Sequence, residues 1–419
     1  MAYLGVFMAG FAGLSGMGRI DFDDEEVIRA LSFTGLEIVT RHVSPYSSWV
    51  AVTHEGEARR QAPVYHDSGT ALLLHGYITG IEGRAEFPNG DVLALCAGLY
   101  LEEGPFFARR LNGAFVLVIE DLASGRVHLI SDRLGTCNVY FHLASGFFSF
   151  ATRLEAIRCV NPSIADRVNE SALATFLTLG RILEGSMLEA VRRLDSACVL
   201  TYDGAVLTEE RYWKPFFLYS DNPLGYEDNA RRLVQAMGEA VLDCVRGLDK
   251  VGLFLSGGLD SRMVLFFLGG RDVTSYTACD RRNLETRVAE KAARRAGAAH
   301  VMLLRKTSHY LDIVPQAVRI CEGSYEYDHA HLEGLWRELG EREDRVFLSG
   351  FGMNSILRTI CLSKLDAPFR MRSGYDRVIE SFDSVEAVEG RLIKLLGSEQ
   401  DALAVMAPAL QRDAAGYPR

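Results

Sequence analysis

Several things are scarce in this 419-residue chain, and each scarcity removes a class of function. The eight cysteines, at 96, 137, 159, 198, 244, 279, 321 and 361, include no C-x-x-C pair. Neither a structural zinc site nor a disulfide framework is therefore indicated, and reduced thiols are expected. Positive charge is not in excess. With 45 Lys and Arg against 55 Asp and Glu, a net charge of −10 and a pI near 5.6, the chain is ill suited to nucleic acid or an anionic membrane as its main partner. No apolar run is long enough to span a bilayer. Residues Met1–Gly18 are apolar and glycine-rich, but they lack a basic leader and a small-residue cleavage pattern. A buried strand over Tyr3–Met8 and a cytoplasmic protein are the expectation. Internal repeats and low-complexity segments are absent as well.

What remains is ordinary in bulk, 48% hydrophobic and 24% charged, and long enough for two or three domains with proper cores. One run stands out: Val251-Gly252-Leu253-Phe254-Leu255-Ser256-Gly257-Gly258-Leu259-Asp260-Ser261-Arg262-Met263. It combines a buried strand, a glycine turn and a helix start. The two glycines let backbone approach a ligand, and Ser256, Ser261 and the uncapped amides face an anion. Asp260 beside such a nest calls for a cation, most simply Mg²⁺, bound together with phosphates. The run is neither a Walker A loop nor a dinucleotide fingerprint, since the spacing and lysine of the one and the three glycines of the other are missing. Residue for residue, Ser256–Ser261 resembles the SGGxDS pyrophosphate loop of the PP-loop ATP pyrophosphatases, which implies ATP split between its α and β phosphates.

The texture changes near residue 215. Before it, strand-like runs recur at Ser48–Val52, Ala71–Tyr77, Ala114–Glu120, Arg126–Ser131, Asn138–His142 and Phe147–Phe150. Helical periodicity appears at Asp91–Leu101 and Glu170–Leu177. Sheets sandwiched by helices follow from that mixture. After Ser220-Asp221-Asn222-Pro223 the pattern alternates: helix 229–246, strand 251–255, helix 261–268, strand 273–278, helix 284–296, strand 300–304 and a last strand at 345–348. Alternation of this kind predicts a doubly wound parallel sheet with its ligand at the carboxyl ends of the strands.

Further motifs widen the likeness. Leu111-Asn112-Gly113-Ala114-Phe115, Ser131-Asp132-Arg133-Leu134-Gly135 with Val139-Tyr140, Arg211-Tyr212-Trp213 and Ser349-Gly350-Phe351-Gly352 occur in the order found in glutamine-dependent asparagine synthetases. The chain resembles that superfamily over roughly residues 1–360, and in kind its glutaminase-dead relatives, the β-lactam synthetases and lasso-peptide cyclases. The resemblance implies an Ntn-hydrolase-like α+β sandwich over 1–215 and an α/β PP-loop synthetase domain over 225–419. It implies ATP and Mg²⁺ as cofactors, with the nucleotide held by Leu255, Ser256, Gly257, Gly258, Asp260, Ser261, Ala278, Ser349 and Gly350. Asp260 and Asn354 would hold the metal. Arg262 either contacts a phosphate or is solvated, and Cys279 and Asp280 read as a strand end and helix entry.

The departures matter as much. The family's glutaminase uses an N-terminal cysteine whose own amine is the base. Here position 2 is Ala2, no cysteine precedes Cys96, and the family's N-G-E loop reads His75-Gly76-Tyr77. Asn354 and Ser355 replace the acidic pair of the second phosphate loop. Cys321–His331 holds Tyr325 and Glu326, a pair resembling the β-lactam synthetase dyad, which could deprotonate an attacking amine. His329 and His331, at i and i+2, make a poor zinc site. Only Lys364 and Lys394 follow the second loop, and the chain runs about 65 residues beyond it. The implied function is an AMP-forming amide ligase joining a small-molecule or peptide carboxylate to an amine without glutamine hydrolysis, with intramolecular cyclisation as one variant. The alternative is a catalytically inactive, synthetase-like binding or regulatory protein. A homodimer, or a partner protein that supplies substrate recognition, stays open.

Overall fold

A computed structural model describes residues 10–16, 22–33, 37–54, 61–82, 92–144, 146–182, 184–214, 224–324, 330, 332–335, 339 and 346–350. The described residues fall into two compact units. One lies within 1–163, 194–307 and 334–351, the other within 164–193 and 308–333.

The first unit opens with β1 (Gly10–Gly16), α1 (Asp24–Leu31), β2 (Glu37–Val43), β3 (Ser47–His54), β4 (Val64–His66) and β5 (Thr70–Ile81). It continues through α2 (Val92–Glu103), a 3₁₀ turn (Gly104–Arg110), β6 (Leu111–Asp121), β7 (Arg126–Ser131), β8 (Tyr140–Ala144), β9 (Phe147–Ala151) and α3 (Leu154–Val160). One antiparallel sheet holds the strands in the order β8–β9–β1–β3–β2. A second, in the order β4–β5–β6–β7, is extended by β11 (Cys198–Tyr202) and β12 (Leu207–Arg211). Phe11, Trp49, Phe148 and Phe150 of the first sheet meet Leu73, Val116, Val118 and Leu129 of the second in one buried cluster. The alternate residues of the second sheet, Leu72, Leu74, Leu117 and Ile119, are buried under Leu93, Cys96 and Phe107. Both faces of β5 and β6 are thus covered, which explains why those strands lack the polar alternation of a one-sided antiparallel sheet. On the first sheet, α1 and α3 pack together and against β1 and β9. This is the helix–sheet–sheet–helix layering expected for the first half.

One buried carboxylate ties the two sheets together. Glu120 of β6 is fully buried and accepts from Ser47 Oγ at 2.6 Å, from Ser44 Oγ, and contacts His42 Nε2 at 2.6 Å. A buried charge persists only when its hydrogen bonds are supplied in this way.

The same unit continues with α5 (Tyr226–Cys244), β13 (Lys250–Phe254), α6 (Leu259–Phe267), β14 (Asp272–Cys279), α7 (Leu284–Ala296), β15 (Ala299–Leu304) and β16 (Phe347–Ser349). These strands form a parallel sheet in the order β15–β14–β13–β16. The predicted alternation therefore folds as expected. The predicted strand at Tyr3–Met8 lies outside the described residues, and the first described strand starts at Gly10. Helices α1 and α3 and strands β2, β11 and β12 were not anticipated from the sequence.

The second unit contains α4 (Glu170–Leu179), the two-residue strand β10 (Arg192–Arg193), α8 (His309–Asp312) and α9 (Val314–Cys321). Asn169 caps α4 by accepting from Ala172 N–H at 3.1 Å. Ile182 N–H donates to the carbonyl of Ser324 at 2.9 Å, which joins the two segments of the unit. Among the described residues no helix is long and apolar enough to cross a membrane.

Candidate nucleotide site

The site begins with a strand that has no room on either side. Val251 and Leu253 are fully buried, and a Cβ on Gly252 would lie 2.4 Å from the ring of Phe347. Glycine there lets Phe347 stack on Phe254, with ring centroids 5.3 Å apart. At the end of the strand Leu255, also buried, donates its N–H to the Tyr276 carbonyl at 2.8 Å. The Thr277 hydroxyl donates to the Leu255 carbonyl.

The turn that follows is closed by its two serines. Ser261 Oγ is buried, accepts from Ser256 N–H at 3.1 Å and donates to the Ser256 carbonyl at 3.0 Å. Its one proton being used, the 2.9 Å contact between the hydroxyls has Ser256 as donor. Ser256 Oγ also accepts from Gly258 N–H at 3.2 Å. Ser261 was expected to face a ligand; instead it holds the loop shut from within, while Ser256 is exposed at its mouth. Gly258 caps α6 without a side-chain acceptor, so the first amides of the helix keep their anion-binding potential.

Three glycines allow three close approaches. A Cβ on Gly257 would lie 3.0 Å from Cα and from the carbonyl oxygen of Glu285 at the start of α7. One on Gly258 would lie 3.1 Å from Ser256 Oγ. One on Gly350 would lie 2.6 Å from Ser261 N and 2.8 Å from the Asp260 carbonyl carbon. β16 pairs with β13 and sets Ser349 opposite Phe254, so Gly350 lies against the first turn of α6. Asp260 is half-buried there, and among the described residues its carboxylate has no hydrogen-bond or ion-pair partner.

The remaining expected residues divide. Ala278 sits one residue before the end of β14, the strand beside β13. Arg262 is exposed and donates from Nε to the Gly258 carbonyl at 3.0 Å, so it lies back over the turn. Cys279 is buried at the strand end, and burial raises its thiol pKa. Asp280 pairs with Arg305 at 2.9 Å. The helix entry belongs to Asn283, which accepts from Thr286 N–H at 3.0 Å in a reciprocal capping box. The Asn-x-x-Thr spacing is the sequence signal of that cap. Tyr325, Glu326 and Asn354 lie outside the described residues.

The earlier motifs serve as fasteners. Asp132 is buried and accepts from the N–H groups of Leu134 at 2.8 Å, Thr136 at 3.0 Å and Phe115 at 3.2 Å. Arg133 donates to Asn112 Oδ1 at 2.8 Å and to the Arg109 carbonyl at 2.7 Å, with Trp213 under its guanidinium. Tyr212 donates to the Ser131 carbonyl at 2.6 Å, and burial raises its phenol pKa. At His75-Gly76-Tyr77 the strands β5 and β6 touch through glycines. Gly76 (φ 92°) and Gly113 (φ 153°) each have a carbonyl 2.2 Å from where a Cβ would stand. His75 meets the edge of Phe11, and burial lowers its pKa to about 4.

The comparisons agree with this layout. Residues 232–357 match the asparagine synthase family and residues 89–213 the glutamine amidotransferase domain. Asparagine synthetase [glutamine-hydrolyzing] 2 of Bacillus subtilis is 26% identical over 194 residues, 43% of this chain and 26% of that protein. A relative from Methanocaldococcus jannaschii that bears the same family name is 27% identical over 185 residues, 44% of this chain and 30% of its own length. The matched part thus spans less than a third of these relatives. A solved structure titled glutamine phosphoribosylpyrophosphate amidotransferase from B. subtilis aligns with a TM-score of 0.28 and 10% identity over 71% of this chain and 85% of that one, too low to carry an argument. The chain is thus similar to a glutamine amidotransferase domain followed by asparagine synthase, the two matched regions lying in that order.

Proposed function

We propose that this protein is an ATP-dependent, AMP-forming amide ligase that works without hydrolysing glutamine. The observation that carries the reading is the contact of Gly350 with the first turn of α6, beside uncapped amides and a carboxylate that has no partner among the described residues. The substrate carboxylate attacks the α-phosphorus, the α–β phosphoanhydride bond breaks, and pyrophosphate leaves. The amine nitrogen then attacks the acyl carbon, and the bond to AMP breaks. Leu255 and Ala278 would lie against the adenine, and Ser256, Gly257, Gly258 and the amides of α6 would hold pyrophosphate. Asp260 offers the hard oxygen that suits Mg²⁺, and Asn354 would add a neutral one. The cation would offset phosphate charge. In this reading Glu326, paired with Tyr325, takes the proton of the amine, and residues 1–215 and 225–419 are the two functional domains.

Loss of glutaminase chemistry is supported by His75-Gly76-Tyr77, which puts an imidazole and a phenol where the resemblance expects Asn and Glu, with burial lowering the His75 pKa to about 4. A cytoplasmic setting accords with cysteines that carry no C-x-x-C pair in their sequence. The test is calorimetry with Mg-ATP on the natural chain and on Asp260→Ala. Micromolar affinity that drops at least tenfold in the variant, together with carboxylate-dependent pyrophosphate release, is expected. Binding by neither protein would discard the ligase and leave the inactive binding protein.

A further inference from the structure

Positive charge is concentrated at one place in this acidic chain. Between Thr277 and Thr307 stand eight Arg or Lys against three acidic residues, a local +5 in a chain of −10. The parallel register places their source at one end of the sheet. Arg281 and Arg282 follow the carboxyl end of β14, and Lys306 follows that of β15, beside the loop that leaves β13. All three are exposed. The acidic Asp280 in their midst is engaged by Arg305.

Two further features extend this rim. Arg287, Lys291 and Arg295 recur at every fourth position of α7 and are exposed, opposite the buried Thr286, Ala289 and Ala293. The stripe runs about 12 Å away from the rim, the rise of eight helical residues. Exposed leucines interleave with the cations: Leu259 opens α6, Leu284 opens α7 and Leu304 ends β15, exposed by 50%, 69% and 57%.

We propose that this rim and stripe dock an acidic polypeptide segment with interspersed apolar side chains, and that this polypeptide bears the carboxylate to be adenylated. The second half of the statement rests on the ligase reading. The first half rests on complementarity alone. A cationic surface with leucines between the charges fits carboxylate side chains and apolar ones together. Nucleic acid fits less well: it offers no apolar side chains for the leucines. A uniformly charged polyanion longer than the stripe would also run over a remainder that carries net negative charge. Screening lengths near 8–10 Å confine a short segment's attraction to the stripe itself. The position beside the nucleotide loop delivers one end of the docked segment to the site of activation.

The test uses the full chain and three labelled probes in fluorescence anisotropy: a twelve-residue Glu/Leu peptide, its Lys/Leu counterpart, and a single-stranded RNA of equal length. The Glu/Leu peptide is expected to bind at least tenfold more tightly than either control and to weaken with salt. The triple variant Arg281→Glu, Arg282→Glu, Lys306→Glu should lose at least tenfold in peptide affinity while its Mg-ATP affinity and melting temperature hold. Leu284→Ser should weaken the peptide about threefold. Equal binding of both peptides, preference for RNA, or a triple variant that binds like the natural chain would each overturn the docking surface. If the peptide binds but the natural chain takes no Mg-ATP, the surface stands and the ligase reading fails.

Discussion

The double sheet and the parallel sheet use the polar residues of their sequence motifs in opposite ways. In the double sheet, Asp132 spends its oxygens on three backbone amides and Arg133 on two oxygen acceptors, so these motif residues are satisfied by the fold itself. At the end of β13, Asp260 is half-buried beside two glycine turns and has no partner among the described residues. Buried polar groups are paired in folded proteins. Asp132 is explained by the fold itself, while Asp260 leaves its oxygens open among the described residues.

The sharpest way to break this contrast is to fill the contact between the two turns. Gly350→Ala sets a methyl 2.6 Å from Ser261 N, against backbone that has nowhere to go. Mg-ATP affinity should fall by about 1,000-fold, roughly 4 kcal/mol, while the double sheet melts as before. Calorimetry with unchanged affinity would mean that the two turns do not share a ligand. In the double sheet the matching change is Asp132→Ala, which orphans three amides. It should cost about 3 kcal/mol in denaturant unfolding and leave ATP affinity within twofold. An Asp132→Ala chain of full stability that no longer binds ATP would reverse the assignment of that motif to structure.

A gentler probe is pH. Burial lowers His75 and His128 to about 4, and lowers His66 and His300 in the same sense. The unfolded chain takes up protons near 6.5 that the folded chain refuses. Stability from the neutral His75 and His128 imidazoles is therefore whole above about pH 6.5 and is lost as pH falls toward 4. The slope is about 1.4 kcal/mol per pH unit for each group. His75→Leu should reduce that slope by one group's share, read from denaturant midpoints between pH 4.5 and 6.5. An unchanged slope would mean that His75 is protonated in the fold and that its surroundings are not apolar.

How much of this was legible in the sequence follows from the same contrast. Strands β5, β6, β7, β9, β13, β14 and β15 announced themselves because they are buried on both faces or alternate with helices. Strand β2 did not: Glu37, Thr40 and Arg41 leave it half exposed, without a clean period. Strand β12, Leu207–Arg211, is polar for the same reason at a sheet edge. The pyrophosphate-like loop was legible because glycine, serine and aspartate at fixed spacing have few other uses. The inward turn of Ser261 was not, since a hydroxyl that closes a loop and one that faces a ligand look alike in sequence. Nor does pattern alone reveal that Gly252 exists for Phe347, some ninety residues later, a contact only the β13–β16 pairing creates.

The smallest expected effect concerns Arg262, which belongs to neither class. Its guanidinium is exposed, yet Nε is spent on the Gly258 carbonyl and leaves the terminal nitrogens over the turn. Arg262→Ala removes no buried contact, so stability should stay within about 0.5 kcal/mol. If those nitrogens meet a terminal phosphate, ATP affinity should fall about fivefold, with AMP affinity unmoved because AMP lacks the groups they would reach. Arg262→Lys would recover only part, since a point charge cannot keep the Gly258 bond and a bidentate phosphate contact together. Equal losses for ATP and AMP would assign the arginine to the shape of the turn, and no loss for either would return it to the solvated faces of α6.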